Sequence, residues 1–266
     1  MATDRATDRY DAFRDLHHAD RPLLLPNAWD HAGAAALVDA GFPAVGTTSL
    51  GVAAAAGKAD AAGGTLEETM TLAWNLARLP VPVTVDIEGG FAERPAEVAR
   101  LVAELASYGI AGVNIEDGRA DGTLVPVDHQ VAVIEAVKAA APRVFLNART
   151  DTFWLAHPSD LAETSRRVRA YAAAGADGVF VPGIAADSDI RAVVEEVPVP
   201  LNVLYLPGRT DVARLAELGV RRISCGSLLY RAALRAAVAT ALEIAGRPGD
   251  VPVPAYGDVQ RLVSGR

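Results

Sequence analysis

The chain has one cysteine, Cys225, among its 266 residues, so no disulfide can form within it. That usage fits a reducing compartment, and the cytoplasm is the expected location. Lysine is almost as scarce: Lys58 and Lys138 are the only two. Neither lies in a segment that reads as a strand, which leaves little basis for Schiff-base chemistry. No run of about 18 apolar residues exists, so no membrane span is expected. The opening MATDRATDRYDAFRDL lacks the apolar centre of a secretory signal. A basic excess is also lacking. The net charge is −8, which argues against a nucleic-acid partner. An anionic substrate stays compatible, because one site can be locally positive and a metal would make it so. No Pro/Gly/Ser-rich linker divides the sequence. Residues 1–266 are therefore expected to form one domain, with 247–266 as a Pro/Gly-rich tail that is loose or packs on a neighbouring subunit.

What is present is a repeated phrase: a helical pattern that ends in Gly, followed by a short β-branched run. It occurs as DAGFPAVGT (39–47), SYGIAGVNIED (107–117), AAGADGVFVPG (173–183) and ELGVRRISCG (217–226). Gly past the last helical turn supplies a left-handed cap. A largely continuous apolar run marks a strand buried on both faces. Four more strands lie in 21–28, 80–88, 142–150 and 199–205. Amphipathic helices are expected at 30–40, 65–79, 95–108, 128–140, 159–174, 187–196, 210–218 and 227–246, the last one extended. Pro95 sits at an early helical position, where its missing N–H costs nothing. Eight strand–helix units predict an α/β fold, a (β/α)8 TIM barrel; a doubly wound open sheet is the alternative. Two connections, 48–64 and 118–127, exceed the usual short barrel loop.

Barrel enzymes place their sites at the C-terminal strand ends. Acids crowd those ends here: Asp86 and Glu88 on the third strand, Glu116 and Asp117 on the fourth, Asp151 beside Arg149 on the fifth. Strand alternation points Asp86 and Glu88 one way and Ile87 toward the helices; Asn114 pairs with Glu116, and Asn147 with Arg149 and Asp151. Converging carboxylates repel one another unless a hard cation removes the conflict. Mg2+ is the expected ion, with Mn2+ as its substitute. Arg149 could then grip a substrate carboxylate or phosphonate. Asp30 and Asp151 read equally well as site acids and as residues that cap a helix or pair with an arginine. Cys225 reads as a small buried residue rather than a catalytic thiol.

At PNAWD (26–30), GTTSLG with GKAD (46–51 and 57–60), VTVDIEGGF (83–91), GVNIED (112–117) and NARTD (147–151), the chain resembles the isocitrate lyase / phosphoenolpyruvate mutase superfamily. The resemblance spans about residues 23–245. It implies a metal-dependent barrel enzyme that acts on a small anionic carboxylate, a 2-oxo or 2-hydroxy acid, through an enolate. By position, Asp86 resembles the direct metal ligand, and Asp60, Glu88 and Glu116 the acids that hold its waters. Thr48, Ser49 and Leu50 resemble the segment that cradles substrate carboxylate and enolate oxygen. Arg149 resembles the substrate-binding arginine and Asn202 a further polar contact; Asn147 is a further substrate-binding candidate, and Trp29 reads as a pocket wall or as core. Arg149, Glu116 and Asp60 are the catalytic candidates. A homo-oligomer, dimer or tetramer, is also implied, with the last helix exchanged between neighbours.

The lyases carry Lys-Lys-Cys-Gly-His on a mobile loop after the fourth strand. This chain has DGRADGTLVPVDHQ (117–130) there, with no Cys and no Lys. Arg119, Asp121 and His129 are the candidates in its place, and His129 reads first as a surface residue. The expected function is C–C bond cleavage. The alternatives are a P–C bond mutase or hydrolase acting on a phosphonopyruvate-type substrate, and a non-catalytic carboxylate-binding protein that keeps the metal site.

Overall fold

A computed structural model describes residues 2–155 and 160–263. Its sheet contains β1 (Leu23–Leu25), β2 (Asn27–Ala28), β3 (Val45–Thr47), β4 (Val83–Asp86), β5 (Gly112–Glu116), β6 (Phe145–Arg149), β7 (Gly178–Val181), β8 (Leu201–Leu204) and β9 (Arg222–Ser224). The strand order is β1-β9-β8-β7-β6-β5-β4-β3-β2, and every pairing is parallel. β1 and β2 are two pieces of one barrel strand, separated only by Pro26, which has no N–H to give to a ladder. The first piece pairs with β9 through Leu23↔Arg222, the second with β3 through Asn27↔Gly46. One interrupted strand thus joins both ends of the sheet, which is a barrel and not an open sheet. Asn27 stitches the seam: its Nδ2 donates to Thr47 O (2.7 Å), and its Oδ1 accepts from Cys225 N (2.8 Å) and Gly226 N (2.9 Å).

The eight expected helices form as α2 (His31–Asp39), α4 (Leu66–Leu76), α5 (Pro95–Tyr108), α6 (Val127–Ala140), α8 (Leu161–Ala173), α9 (Asp187–Glu196), α10 (Val212–Glu217) and α11 (Leu228–Ile244). Asp30 caps α2 by accepting from Gly33 N, and Asp211 caps α10 by accepting from Arg214 N. Pro95 opens α5, and Gly109 closes it at φ 91°. The predicted start at Ser159 lies outside the described residues; α8 is capped by Asp160.

Four further helices were not expected: α1 (Ala2–His17), α3 (Ser49–Ala55), α7 (Thr152–Leu155) and α12 (Tyr256–Val263). The stretch 48–64, expected as a loop, therefore starts with two helical turns. Residues 247–263 of the tail run back along α11 and include α12, which packs on the same chain. α1 plugs the N-terminal end of the barrel. Its Phe13 is fully buried among Leu23, Leu25, Ala44, Ala111 and Phe145, and the His17 ring stacks on Phe145 at 4.2 Å.

Alternation along the strands sorts the core. Val83, Val85, Ile87, Val113, Ile115, Leu146 and Ala148 face outward into one apolar layer under α4, α5 and α6. Val179, Val181, Leu201, Val203 and Ile223 build a second layer. The intervening positions face the barrel axis, and at mid-height they are polar: Thr84, Asn114, Asn147, Asn202 and Arg222, all buried. Branched apolar side chains usually fill this layer. Here Asn114 Oδ1 accepts from Asn147 Nδ2 (2.9 Å) and Arg222 Nη2 (3.1 Å). Two residues further along their strands stand Asp86, Glu116 and Arg149, at the C-terminal mouth.

Candidate active site

A cavity of about 270 Å³ opens at that mouth. Asp60, Asp86, Glu116, Arg149, Asp151, Thr48, Ser49 and Leu50 line it, together with Arg119, Trp154, Phe180, Tyr256 and Gln260. The chain thus brings three of the four acids expected at a metal site, Asp60, Asp86 and Glu116, into one space with the Thr48–Leu50 segment.

β4 ends at Asp86, whose backbone N donates to Thr47 Oγ1 (2.8 Å). The expected alignment of Glu88 with Asp86 does not hold, because the strand stops and Glu88 takes φ 50°. Its carboxylate turns toward the segment after α3 instead. Oε1 accepts from Thr65 Oγ1 (2.7 Å) and Oε2 from Gly63 N (2.9 Å). Both oxygens are engaged, and Glu88 does not line the cavity.

Arg149 crosses the space between two acids. Nη1 lies 2.7 Å from Glu116 Oε2, while Nε (2.6 Å) and Nη2 (3.1 Å) grip Asp151 in a fork. Phe180 lies against the guanidinium at 5.6 Å. Burial raises the pKa of Asp86, Glu116 and Asp151; Arg149 opposes the rise without cancelling it. For Arg149 burial works against the charge, but Asp151, Glu116 and Asp86 outweigh it and hold its pKa above the ordinary value. Asp151 pairs with Arg149 and also lines the cavity. Asp117 points away from the cavity. Its Oδ2 accepts from Arg167 Nη1 (2.8 Å) and Tyr171 OH (2.6 Å), and its Oδ1 from Asp151 N (2.9 Å).

Asp60 sits in the segment between α3 and α4. Its Oδ2 accepts from Tyr256 OH (2.7 Å), and its Oδ1 is buried with no hydrogen-bond partner. The carboxylates fit a hard divalent cation, which takes oxygen ligands and would satisfy that oxygen directly or through water. Among the described residues no three His, Cys, Asp or Glu side chains stand close enough to bind one ion together. The arrangement therefore suits one or two direct carboxylates with water completing the shell.

Asn147 and Asn202 lie one layer below the cavity, and Trp29 lies behind α3, where it packs on Tyr230 at 5.1 Å. A Cβ on Gly51 would stand 2.9 Å from Trp29 Cβ, so this glycine lets α3 seat on the indole. Of the loop candidates, Arg119 lines the cavity. Asp121 Oδ1 instead closes its own turn onto Thr123, and His129 rides on α6 outside the cavity. Burial pushes the Cys225 thiol up to about 11, which leaves it inert near neutral pH.

Sequence reasoning missed Tyr256, Gln260 and Trp154. The signal for the first two was a short stripe, Tyr256–Val259–Val263, at helical spacing in a tail dominated by Pro and Gly.

Comparison with known proteins points to one family. The profile of the phosphoenolpyruvate phosphomutase family matches residues 13–245. An uncharacterized protein of Mycobacterium tuberculosis is 42% identical over 256 residues, 95% of this chain and 96% of that one. An oxaloacetate decarboxylase of Ectopseudomonas mendocina is 32% identical over 239 residues, 85% of this chain and 80% of that one. The crystal structure of a phosphoenolpyruvate phosphomutase from Streptomyces platensis subsp. rosaceus superposes with a TM-score of 0.80 at 26% identity, covering 94% of each chain. With its barrel, its strand-end acids and these relatives, the chain belongs to the phosphoenolpyruvate phosphomutase family, within the superfamily that also holds the isocitrate-lyase-type enzymes.

Proposed function

We propose that the chain is a magnesium-dependent lyase that cleaves a C–C bond next to the 2-oxo or 2-hydroxy carbon of a small carboxylic acid. The observation that carries this reading is the convergence of Asp60, Asp86, Glu116 and Arg149 on one cavity beside Thr48–Leu50. The resemblance to an oxaloacetate decarboxylase supports it. Asp86 would hold the ion directly, with Asp60 and Glu116 acting through its waters; Glu88 buttresses the segment that carries Asp60. When bound, magnesium supplies positive charge at the substrate's 2-oxygen, where negative charge grows as the bond breaks.

The chain's own groups do the rest. The Thr48 and Ser49 hydroxyls and the nearby backbone N–H groups receive the carboxylate next to the reacting centre. Arg149, fixed by Glu116 and Asp151, presents a preoriented charge rather than a mobile one. Phe180, Leu204 and Trp154 form an apolar wall that keeps water from an enolate. Arg119 makes no ion pair among the described residues and faces the same cavity, so it is placed to receive a second anionic group. A dicarboxylate is the substrate class this favours.

The test is a product assay across oxaloacetate, malate-type acids and phosphonopyruvate. Carbon dioxide with pyruvate from oxaloacetate, or pyruvate or glyoxylate from a malate-type acid, supports the lyase. Phosphate release from phosphonopyruvate, or its rearrangement, would establish the second reading, P–C chemistry, which the phosphomutase likeness favours. Tight binding of oxalate and magnesium with no turnover of any of these would establish a binding protein.

A further inference from the structure

The residues after α11 return to the mouth of the barrel and are fastened on the way. Arg235 Nε donates to Val251 O (2.8 Å), Arg231 Nη1 to Pro254 O (2.9 Å), and Ala255 N to Asp258 Oδ2 (2.7 Å). α12 then docks through Val259, which is buried against Leu50 and Tyr230. Leu50 belongs to the segment that lines the cavity, so the tail packs on the back of the site.

From this seat α12 holds Asp60 at both ends. Tyr256 OH donates to Asp60 Oδ2 (2.7 Å), and Gln260 Oε1 accepts from Asp60 N (3.2 Å). Asp60 lies in a turn of the chain outside any helix or strand, and the next residue, Ala61, takes φ 58°. Such a segment has no ladder to fix it, and a non-glycine residue in the left-handed region costs free energy that the surroundings must offset. The Tyr256 ring is itself held edge-on by Trp154 at 5.6 Å. With Oδ2 taken by the phenol, Asp60 keeps its buried Oδ1 turned free.

We propose that Tyr256, delivered by the C-terminal helix, is a positioning residue of the active site, and that it orients Asp60 for the hydrated magnesium ion. This rests on the metal reading given above. Tails of this kind are often dispensable; here removal of one hydroxyl is expected to reach the metal.

The experiment titrates magnesium chloride, with oxalate present, into wild-type protein and into Tyr256→Phe, Tyr256→Ala, Asp60→Asn, the double variant Tyr256→Phe with Asp60→Asn, and Asp86→Ala by calorimetry. Tyr256→Phe is expected to bind magnesium roughly ten-fold more weakly, as loss of an outer partner of a metal site does. The loss should vanish when Asp60 is already Asn. Phenylalanine should restore the thermal midpoint that Tyr256→Ala lowers, without restoring magnesium affinity; that split separates positioning from packing. Wild-type affinity in Tyr256→Phe, with Asp86→Ala impaired, overturns the role of Tyr256 alone. An equal loss in the Asp60→Asn background also overturns it. Undiminished binding by Asp86→Ala would overturn the metal reading itself.

Discussion

Gly118 shows how closely the acid–arginine cage is built. A Cβ at this position would lie 2.2 Å from Asp151 Oδ2. Asp151 cannot withdraw, because its backbone N donates to Asp117 and its carboxylate holds Arg149. Gly118→Ala is therefore expected to break the Arg149 fork and cost about 1–3 kcal/mol, as overpacking in a dense site does; urea unfolding measures it. Asp86→Ala should behave in the opposite way. It removes a desolvated acid that stands near other carboxylates, so the thermal midpoint should hold or rise, while magnesium binding and turnover are lost. The acids also predict a pH dependence. Burial raises the pKa of Asp86, Glu116 and Asp151, so protons compete with the metal at pH values where exposed carboxyls are already ionised. Magnesium affinity should fall as pH is lowered through that raised range and recover above it. A Kd that stays flat down to the pH at which exposed carboxyls themselves titrate would contradict the assignment of these acids to the site.

At the scale of elements, α1 makes the most specific prediction. His17 Nδ1 lies 2.7 Å from Phe13 O, and since a carbonyl only accepts, Nδ1 carries the proton. Nε2 is buried without a hydrogen-bond partner. Burial, reinforced by the Arg222 charge, pushes His17 down to about 3. Below about pH 6.5 the unfolded chain binds a proton here that the folded chain refuses. Stability should therefore fall by up to about 1.4 kcal/mol per pH unit between about 6.5 and 3. His17→Phe should flatten that slope in denaturant titrations at pH 7 and 5. The sequence reading contained none of this, for a physical reason. α1 is polar along most of its sequence, and among its described side chains only Phe13 and His17 are buried, so its periodicity is faint. α3 is hidden in the same way by an Ala-rich segment with a glycine in its middle, and α12 by the Pro residues before it. The eight central helices were legible through their amphipathic periodicity, and α2, α5, α8, α10 and α11 also through the glycine that follows each of them. Asp86, Glu116 and Arg149 were legible because strand alternation fixes their direction; Glu88 was misread where the strand ends and φ turns positive.

The whole molecule leaves one face unexplained by its own packing. α11 runs from Leu228 to Ile244, yet Tyr230 is its only buried residue. Val238 is 50% exposed and Ile244 82% exposed. A long helix gains most of its stability from burying an apolar face, and this one buries almost nothing on its own barrel. The tail crosses it by only a few hydrogen bonds. A second copy of the chain offers a matching surface, because a two-fold contact pairs a patch with itself. The expectation is a homo-oligomer, dimer or tetramer, with α11 at the contact. Light scattering on the purified chain measures this directly, and Val238→Lys, which puts a charge in the middle of the helix, should shift the mass toward the monomer. If α11 is the contact, the shift should also weaken magnesium binding, since α11 anchors the tail that carries Tyr256 to Asp60. A monomeric wild-type chain would show instead that the exposed helix is stable on its own barrel and that assembly plays no part in completing the site.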